Sequence, residues 1–286
     1  MGSCPPTPGR RSGKWKSGSG TWATSTDAPS PWGLPGRCSY NPRVEVRIGC
    51  CGWSSLRGEE VGVPDWKRRY SHKLQLYAAH FPVVEVNSTF YRLPKPDTAA
   101  RWRDLADQVD EAFEFTVKVN QQVTHRSRFR GEAARRAFSE TAMIARLLRA
   151  RILLLQCPAS FGPTRENEAA LRDFLSGVER EGLVLVWEPR GKWREVPDRV
   201  AGLCEELELV HCTDPFQSWP QVSDFLYLRL HGAPPGARMY YYRYTADDLN
   251  WLKGELARRG SLAYVMFNNV YMTQDALVFK RLWEGG

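Results

Sequence analysis

The sequence predicts one α/β domain, a single (β/α)8 barrel of the TIM type over residues 43–286, preceded by an extension over residues 1–42. Three observations lead to this fold. Eight short β-branched, aliphatic or aromatic runs follow residue 43, helical segments fill most of the intervals, and the alternation occupies about 240 residues. The rival fold is a doubly wound open sheet, but no glycine-rich phosphate loop follows the first run. The barrel is therefore favoured.

The predicted strands and helices alternate in chain order. Short branched and aromatic runs are typical of strands, and apolar residues every three or four positions are typical of helices. The strands are predicted at 44–50, 83–87, 113–119, 152–156, 183–188, 209–214, 225–231 and 263–269. The helices are predicted at 72–81, 98–109, 133–149, 166–179, 197–207, 246–259 and 274–283. Only QSWPQVS separates the sixth and seventh strands, so we expect a short or missing helix there.

The extension over residues 1–42 has a different composition from the rest of the chain. Half of it is Gly, Pro and Ser, and aliphatic side chains are almost absent. Such a segment cannot bury enough apolar surface to offset its ordering entropy, so we expect it to be disordered. It also carries five Lys or Arg residues against one Asp, which is half of the net charge of +8. The barrel is therefore only mildly basic, and bulk charge does not indicate a dense phosphate-binding face.

Cysteine usage and hydropathy narrow the class of protein. The seven cysteines are an odd number and form no CxxC pair, so neither a disulfide scaffold nor a zinc finger is predicted. No apolar run approaches the roughly 18–20 residues that span a bilayer, and no signal peptide is apparent. We expect a cytoplasmic protein with reduced thiols. No membrane contact, cofactor or particular protein partner is predicted.

Polar side chains occur at the ends of the predicted strands, on the parity that faces the barrel interior. Side chains alternate along a strand, so outward valines at 84 and 86 turn Glu85 and Asn87 inward. The same alternation turns the following residues inward or places them at strand ends: Lys118, Gln156, Glu188, Arg229, His231, Asn268 and Asn269. Active sites of such barrels lie at the carboxyl ends of the strands. We expect ion pairs between Glu85 and Lys118 and between Glu188 and Arg229, which serve either a ligand or only the strand register.

Three kinds of chemistry remain open for this rim. Arginines and lysines, including Arg92 and those of the loop at 123–131, are suited to phosphate or carboxylate groups. A divalent metal could instead use His125, Glu188, Asp214 and His231, although HExxH spacing is absent and neighbouring cations would repel the metal. Tyr91 and Tyr242 lie in loops where aromatics stack on sugars or bases. A catalytic Cys50 or Cys51 is disfavoured, because no histidine adjoins either in sequence.

Several motifs together resemble one known family. They are GCCGW (49–53), YAAHFPVVEVNSTFYRLP (77–94), Thr124-His125, QCP (156–158), WEPR (187–190), LRLHG (228–232) and YVMFNN (264–269). These segments are similar to the family called domain of unknown function 72, or YecE-like, over about residues 48–283. The resemblance implies a TIM-type barrel but no reaction, because the family's activity is not established. Two motifs depart from the family pattern, which usually has Thr-Ser at Cys50-Cys51 and Phe-Arg-His at 189–191.

These observations give a leading hypothesis and an alternative. In the first, the barrel is an enzyme, a hydrolase or isomerase, that acts on a phosphorylated or nucleic-acid-derived substrate by acid–base chemistry, with or without a metal. Glu188, His231 and Lys118 would be catalytic. The substrate would be bound by Glu85, Asn87, Tyr91, Arg92, His125, Gln156, Arg190, Arg229, Tyr242, Asn268 and Asn269. In the alternative, the barrel binds nucleic acid or a small anionic ligand without catalysis.

Overall fold

A computed structural model describes residues 44–221, 224–232, 238–260 and 262–285. The predicted disordered extension over residues 1–42 lies outside the described residues. The strands form one closed parallel barrel in the order β1 to β8, and β1 pairs with β8 to close it. The predicted (β/α)8 fold is therefore confirmed.

Each of the eight strands lies within the run that predicts it. The strands are β1 Val46–Cys50, β2 Val83–Val86, β3 Glu114–Lys118, β4 Ile152–Gln156, β5 Val184–Glu188, β6 Leu209–Thr213, β7 Leu226–Leu230 and β8 Ala263–Phe267. These runs are buried on both faces, since one side meets the helices and the other fills the barrel. Continuous apolar character with a polar carboxyl end therefore identifies them well.

Seven α-helices within the described residues cover the barrel. They are α1 Lys73–Ala78, α2 Pro96–Asp107, α3 Gly131–Leu147, α4 Arg165–Ser176, α5 Pro197–Glu206, α6 Ala246–Arg259 and α7 Met272–Glu284. Local sequence explains several of their starts. Proline occupies the first turn of α2 and α5, and Thr164 and Thr245 accept backbone N–H bonds at the starts of α4 and α6.

No α-helix lies between β6 and β7 in the described stretches 214–221 and 224–225. This agrees with the expectation that the short QSWPQVS connection would carry a short or missing helix. Within the described ranges, no helix has the length and apolar character needed to cross a membrane.

Contacts in the core between strands and helices fix the position of β1 relative to β2. The buried Tyr77 hydroxyl of α1 accepts the Cys50 N–H at 2.7 Å and donates to the Val83 carbonyl at 2.9 Å. Gly49 allows the close approach of these strands, because a Cβ at this position would lie 2.2 Å from the Val83 carbonyl oxygen. The carboxyl end of β1, at Cys50, therefore lies beside Val84, two residues before the end of β2.

Candidate active site at the carboxyl ends of the strands

A fully buried arginine, Arg229 of β7, holds two carboxylates in the barrel interior. Its Nε and Nη2 donate to the two oxygens of Glu85 at 3.0 and 2.8 Å, and its Nη1 donates to Glu188 at 2.5 Å. Burial alone would lower the pKa of Arg229, but the two carboxylates outweigh it and raise the pKa well above its usual range. The predicted pairing of Glu188 with Arg229 is confirmed. Arg229 remains charged, and that charge is offset from both sides.

The predicted ion pair between Glu85 and Lys118 is wrong, and the strand register explains why. Glu85 pairs with Thr116 across β2 and β3, which places Lys118 two residues further toward the rim. Two residues along a strand span roughly 6–7 Å, which is one layer of side chains. Glu85 instead meets Arg229 and the hydroxyl of Tyr227, which donates to it at 3.1 Å.

Glu188, at the end of β5, lies between two guanidinium groups. One oxygen accepts from Arg190 Nε at 2.6 Å, and the other accepts from Arg229. Burial would raise the pKa of Glu188, but the charges of Arg229 and Arg190 hold it well below its ordinary value. Glu188 is therefore ionised at neutral pH, and both of its oxygens already have donors.

His231 lies between Asp214 and the same guanidinium groups. Its Nε2 is 2.9 Å from Arg190 Nη2 and 3.2 Å from Arg229 Nη1. Because guanidinium nitrogens can only donate, Nε2 accepts, and the ring proton lies on Nδ1, 3.4 Å from Asp214. Burial lowers the pKa of His231 despite the nearby carboxylates. The imidazole is therefore neutral and held in one orientation.

Lys118, at the end of β3, has the least usual environment of the cationic groups in the barrel. It is 7% exposed, and its Nζ lies 4.1 Å from the centroid of the Phe90 ring. Within the described residues, no ion pair joins it to a carboxylate. Burial, with the like charge of Arg229, lowers the pKa of Lys118 to about 8. Its ammonium group can therefore release a proton near neutral pH.

His125 also packs against Phe90. The two rings meet edge to face with centroids 4.8 Å apart, and Nδ1 lies 2.8 Å from the Thr124 hydroxyl. Burial and then the positive charges of Lys118 and Arg190 lower the pKa of His125 to about 4. His125 is therefore a neutral hydrogen-bonding group beside Lys118 at physiological pH.

A cavity of about 280 Å³ adjoins this charged cluster, beside the ends of β5, β6 and β7. Glu188, Arg190 and His231 line its inner end. A polar cluster next to a cavity at the carboxyl ends of barrel strands is the arrangement that enzyme sites of this fold use.

The motifs that run through the barrel match one family model, described as "Protein of unknown function DUF72", over residues 47–284. The chain belongs to the DUF72 family. The YecE protein of Escherichia coli (strain K12), named UPF0759 protein YecE, is 36% identical over 142 residues, which span 48% of this chain and 45% of that protein. The YunF protein of Bacillus subtilis (strain 168), UPF0759 protein YunF, is 24% identical over 258 residues, 78% of this chain and 88% of that protein.

A solved DUF72 structure from Thermotoga maritima has the same fold. It superposes with a TM-score of 0.65 at 24% identity and covers 84% of this chain and 99% of that chain. At this identity the likeness concerns the barrel fold alone. The names of these relatives state no reaction, so the side chains of this DUF72 chain are the evidence for its chemistry.

The other predicted rim residues fall into two groups. Some lie open or near the interior: Tyr91 is 71% exposed, Arg92 is exposed, and Asn87 has a buried Oδ1 without a hydrogen-bond partner among the described residues. Others are occupied by the protein itself. The Gln156 carboxamide donates to the Cys157 carbonyl at 2.6 Å, and the Tyr242 hydroxyl donates to Asp248 at the start of α6.

The two asparagines after β8 support the neighbouring loops. The Asn269 Nδ2 donates to Asp275 at 2.7 Å and to the Tyr242 carbonyl at 2.8 Å, which links α7 to the loop after β7. Asn268 is partly buried, and its backbone N–H continues the sheet by donating to Leu230. Neither contact involves the charged cluster itself.

Two contacts of the cluster were not predicted from the sequence. The Tyr240 hydroxyl accepts from Arg190 at 3.0 Å, and its backbone adopts φ +69°. Cys51, at a position where the family pattern has a hydroxyl residue, places its Sγ 3.6 Å from Arg229 Nη2. The repeated tyrosines around residue 240 give no pattern that singles out one of them. The left-handed backbone that directs Tyr240 inward is not visible in the sequence.

The proposed metal ligands do not form a metal site. Across the ranges that the structure describes, no group of three or more His, Cys, Asp or Glu side chains is arranged to hold a metal ion. Glu188 and His231 bond to Arg190 and Arg229, and Asp214 bonds to the backbone N–H of His231. These donor atoms therefore do not fit a dication.

Proposed function

We propose that this DUF72 barrel is an enzyme acting on a phosphorylated or nucleic-acid-derived substrate, with Lys118 as the group that exchanges a proton with the substrate. The observation that carries the proposal is the position of Lys118. A lysine amine lies at the rim of the barrel, beside Phe90 and without a carboxylate partner among the described residues. A proton-transfer group works best when its pKa lies close to the working pH, and the pKa of Lys118 is lowered to about 8.

This proposal changes the division of roles that the sequence suggested. Glu188 was the expected general acid or base, but its lowered pKa makes it a weak base, and both oxygens are already hydrogen bonded. We assign it the role of holding Arg190 and Arg229 in place. His231 is neutral and fixes Arg190 from the other side. Lys118 is then the titratable group that is free to react.

The anionic part of the substrate would be bound by Lys118 and Arg190. The guanidinium of Arg190 donates one N–H from each terminal nitrogen, to Tyr240 and to His231, and each nitrogen carries a second N–H. Its side chain is 23% exposed and lines the cavity. Arg229 is less suited to an anion, because Glu85 and Glu188 already offset its charge. A phosphate group near Lys118 would also favour the protonated amine.

The proposal is tested by a turnover screen with sugar phosphates, nucleotides and short oligonucleotides, repeated with Lys118→Met. We expect kcat/KM to fall by about 10²–10⁴, the usual contribution of one acid–base group, and an apparent pKa of about 8 in the wild-type pH profile. Lys280→Met is the matched control, because Lys280 lies on α7 and donates to the His80 carbonyl outside the barrel. Full activity in Lys118→Met, or no turnover of any compound in the screen, would contradict the proposal.

The alternative function, non-catalytic binding of nucleic acid or an anion, is favoured by one surface feature. Tyr241 is an exposed aromatic at the rim, and the guanidinium of Arg238 lies 4.2 Å from the centroid of its ring. Such pairs bind bases by stacking. This function predicts binding of single-stranded RNA or DNA that weakens steeply with salt and survives Lys118→Met but not Tyr241→Ala. Binding that is insensitive to salt would exclude it.

A cytoplasmic location is also part of the proposal. It is supported by the five free cysteines among the described residues, all of which are buried. Cell fractionation that recovers the protein outside the cytoplasm would contradict it.

A further inference from the structure

The outer face of β6 borders a cavity instead of a helix of its own. In a regular barrel each strand is followed by a helix that packs against its outer face. No α-helix follows β6 in the described stretches 214–221 and 224–225, and the cavity of about 280 Å³ lies beside this strand. Cys212 faces the barrel interior, so alternation turns His211 and Thr213 away from the interior. Both of these side chains line the cavity.

Thr213 contributes a buried polar atom that has no partner. The residue is 8% exposed, and its Oγ1 makes no hydrogen bond to any described residue. A buried hydroxyl without a partner destabilises the fold, so native proteins retain few of them. Thr213 lines the cavity, so a ligand in the cavity lies beside this hydroxyl and can bond to it as donor or acceptor once the side chain rotates toward the ligand.

His211 contributes a donor of known direction. Its Nδ1 accepts the backbone N–H of Gln221 at 3.2 Å. Burial lowers the pKa of His211 to about 4, so the ring is neutral and its proton must lie on Nε2. The cavity therefore has one hydroxyl and one N–H donor on the same strand, two residues apart.

The remaining walls of the cavity combine apolar and charged groups. Trp193, Pro197, Val200 and Met239 contribute apolar surface, and Arg190 of the charged cluster also lines the cavity. Apolar walls with a polar edge fit a ring with apolar faces and hydrogen-bonding atoms on its edge. The volume lies at the lower limit of ordinary ligand sites, about 300–1,000 Å³, which suits a single ring system better than a whole nucleotide.

We propose that this cavity binds an uncharged heterocyclic ring of the nucleobase type, with Thr213 and His211 bonding to the edge of the ring. The inference rests on the proposed function in one respect: the ring belongs to the substrate whose anionic part faces Arg190 and Lys118. It narrows the substrate class from phosphorylated compounds in general to nucleosides, nucleotides or nucleic-acid ends that carry such a ring.

The test uses phosphate-free probes, so that ring binding is measured apart from anion binding. Adenosine, guanosine, cytidine and uridine, with ribose and inorganic phosphate for comparison, are titrated calorimetrically into the full chain. We expect at least one nucleoside to bind and ribose not to compete with it. Thr213→Val should weaken that binding about tenfold. It should not lower the melting temperature of the free protein, because the lost hydroxyl has no protein partner.

Thr141→Val is the matched control. The Thr141 hydroxyl is buried and donates to the Ala137 carbonyl within α3, so this substitution should lower the melting temperature and leave nucleoside affinity unchanged. Failure of all four nucleosides to bind at millimolar concentration would overturn the inference, as would binding that Thr213→Val leaves unaltered. Competition by ribose alone would indicate a sugar site instead and would also overturn it.

Lys118→Met separates this inference from the proposed function. Nucleoside affinity should be unchanged in that variant, because Lys118 is not part of the cavity lining. Thr213-dependent nucleoside binding together with full turnover in Lys118→Met would retain the ring site and remove the proposed role of Lys118. Loss of turnover in Lys118→Met, with no nucleoside binding to the wild type, would retain the proposed role of Lys118 and remove the ring site.

Discussion

Replacing Arg229 by Met should strongly destabilise the barrel, because it leaves buried carboxylates without their counter-ion. Arg229 and Glu85 are fully buried and bonded through two pairs of atoms. In the variant, Glu188 keeps Arg190, whereas Glu85 keeps only the hydroxyl of Tyr227. Removing one partner of a buried ion pair typically costs about 3–5 kcal/mol. That is a large part of the roughly 5–15 kcal/mol that stabilises an average domain.

The assay is urea unfolding followed by circular dichroism. With a slope of about 3 kcal/mol per M, the midpoint for Arg229→Met should fall by about 1 M or more.

Two further variants show whether the unpaired charge of Glu85 causes the loss of stability in Arg229→Met. Adding Glu85→Gln to Arg229→Met removes that charge and should recover about 1–2 kcal/mol. Arg172→Met is the control for losing an arginine, since its pair with Glu206 lies on the surface and should contribute less than about 1 kcal/mol. A loss below about 1 kcal/mol in Arg229→Met, or a further loss on adding Glu85→Gln, would refute this reasoning.

Three more predictions concern groups around the cluster. Burial and then Arg229 lower the pKa of Lys118 from 10.5 to about 8, so the folded chain binds fewer protons than the unfolded chain between these pH values. The free energy of unfolding should therefore rise across that pH window. Lys118→Met should abolish this rise and stabilise the protein at pH 7 by about 1–3 kcal/mol. If the unfolding free energies of the wild type and of Lys118→Met differ by the same amount at every pH, the result argues against a lowered pKa. Tyr77→Phe leaves the buried Cys50 N–H without its partner and should lower stability by about 1–3 kcal/mol in the same urea assay, an outcome contradicted by an unchanged midpoint. Burial raises the pKa of the Cys50 and Cys51 thiols, so a thiol reagent should modify them only after unfolding; rapid labelling of the native protein would count against their burial.

The sequence predicted the strands well because each is buried on two faces. Runs such as ILLLQ at 152–156 have few alternative structures, and their polar last residue marks the carboxyl end. Strict alternation then predicted that Glu85, Lys118, Glu188 and Arg229 would face inward, which they do. The inward-facing set therefore follows from local rules.

The partners within that set did not follow from the sequence. Whether Glu85 meets Lys118 or Arg229 depends on the stagger between strands, and a shift of two residues changes the layer in which a side chain lies. The contact of Tyr240 with Arg190 depends on a left-handed backbone in a loop. The cavity that Thr213 lines depends on how α5 and the connection after β6, which has no α-helix in its described stretches, leave space between them. These features depend on how the elements pack in three dimensions, and local sequence patterns do not predict that packing.

The most direct measurement of the central claim is the titration of Lys118 by NMR in protein labelled with ¹³C at the lysine side chains. The resonance is assigned by its absence from Lys118→Arg. It should titrate near pH 8, and inorganic phosphate should move that midpoint upward, since an anion beside the amine favours its charged form. A midpoint near the ordinary value of 10.5, unmoved by phosphate, would contradict the assignment of Lys118 as the reactive group of this site.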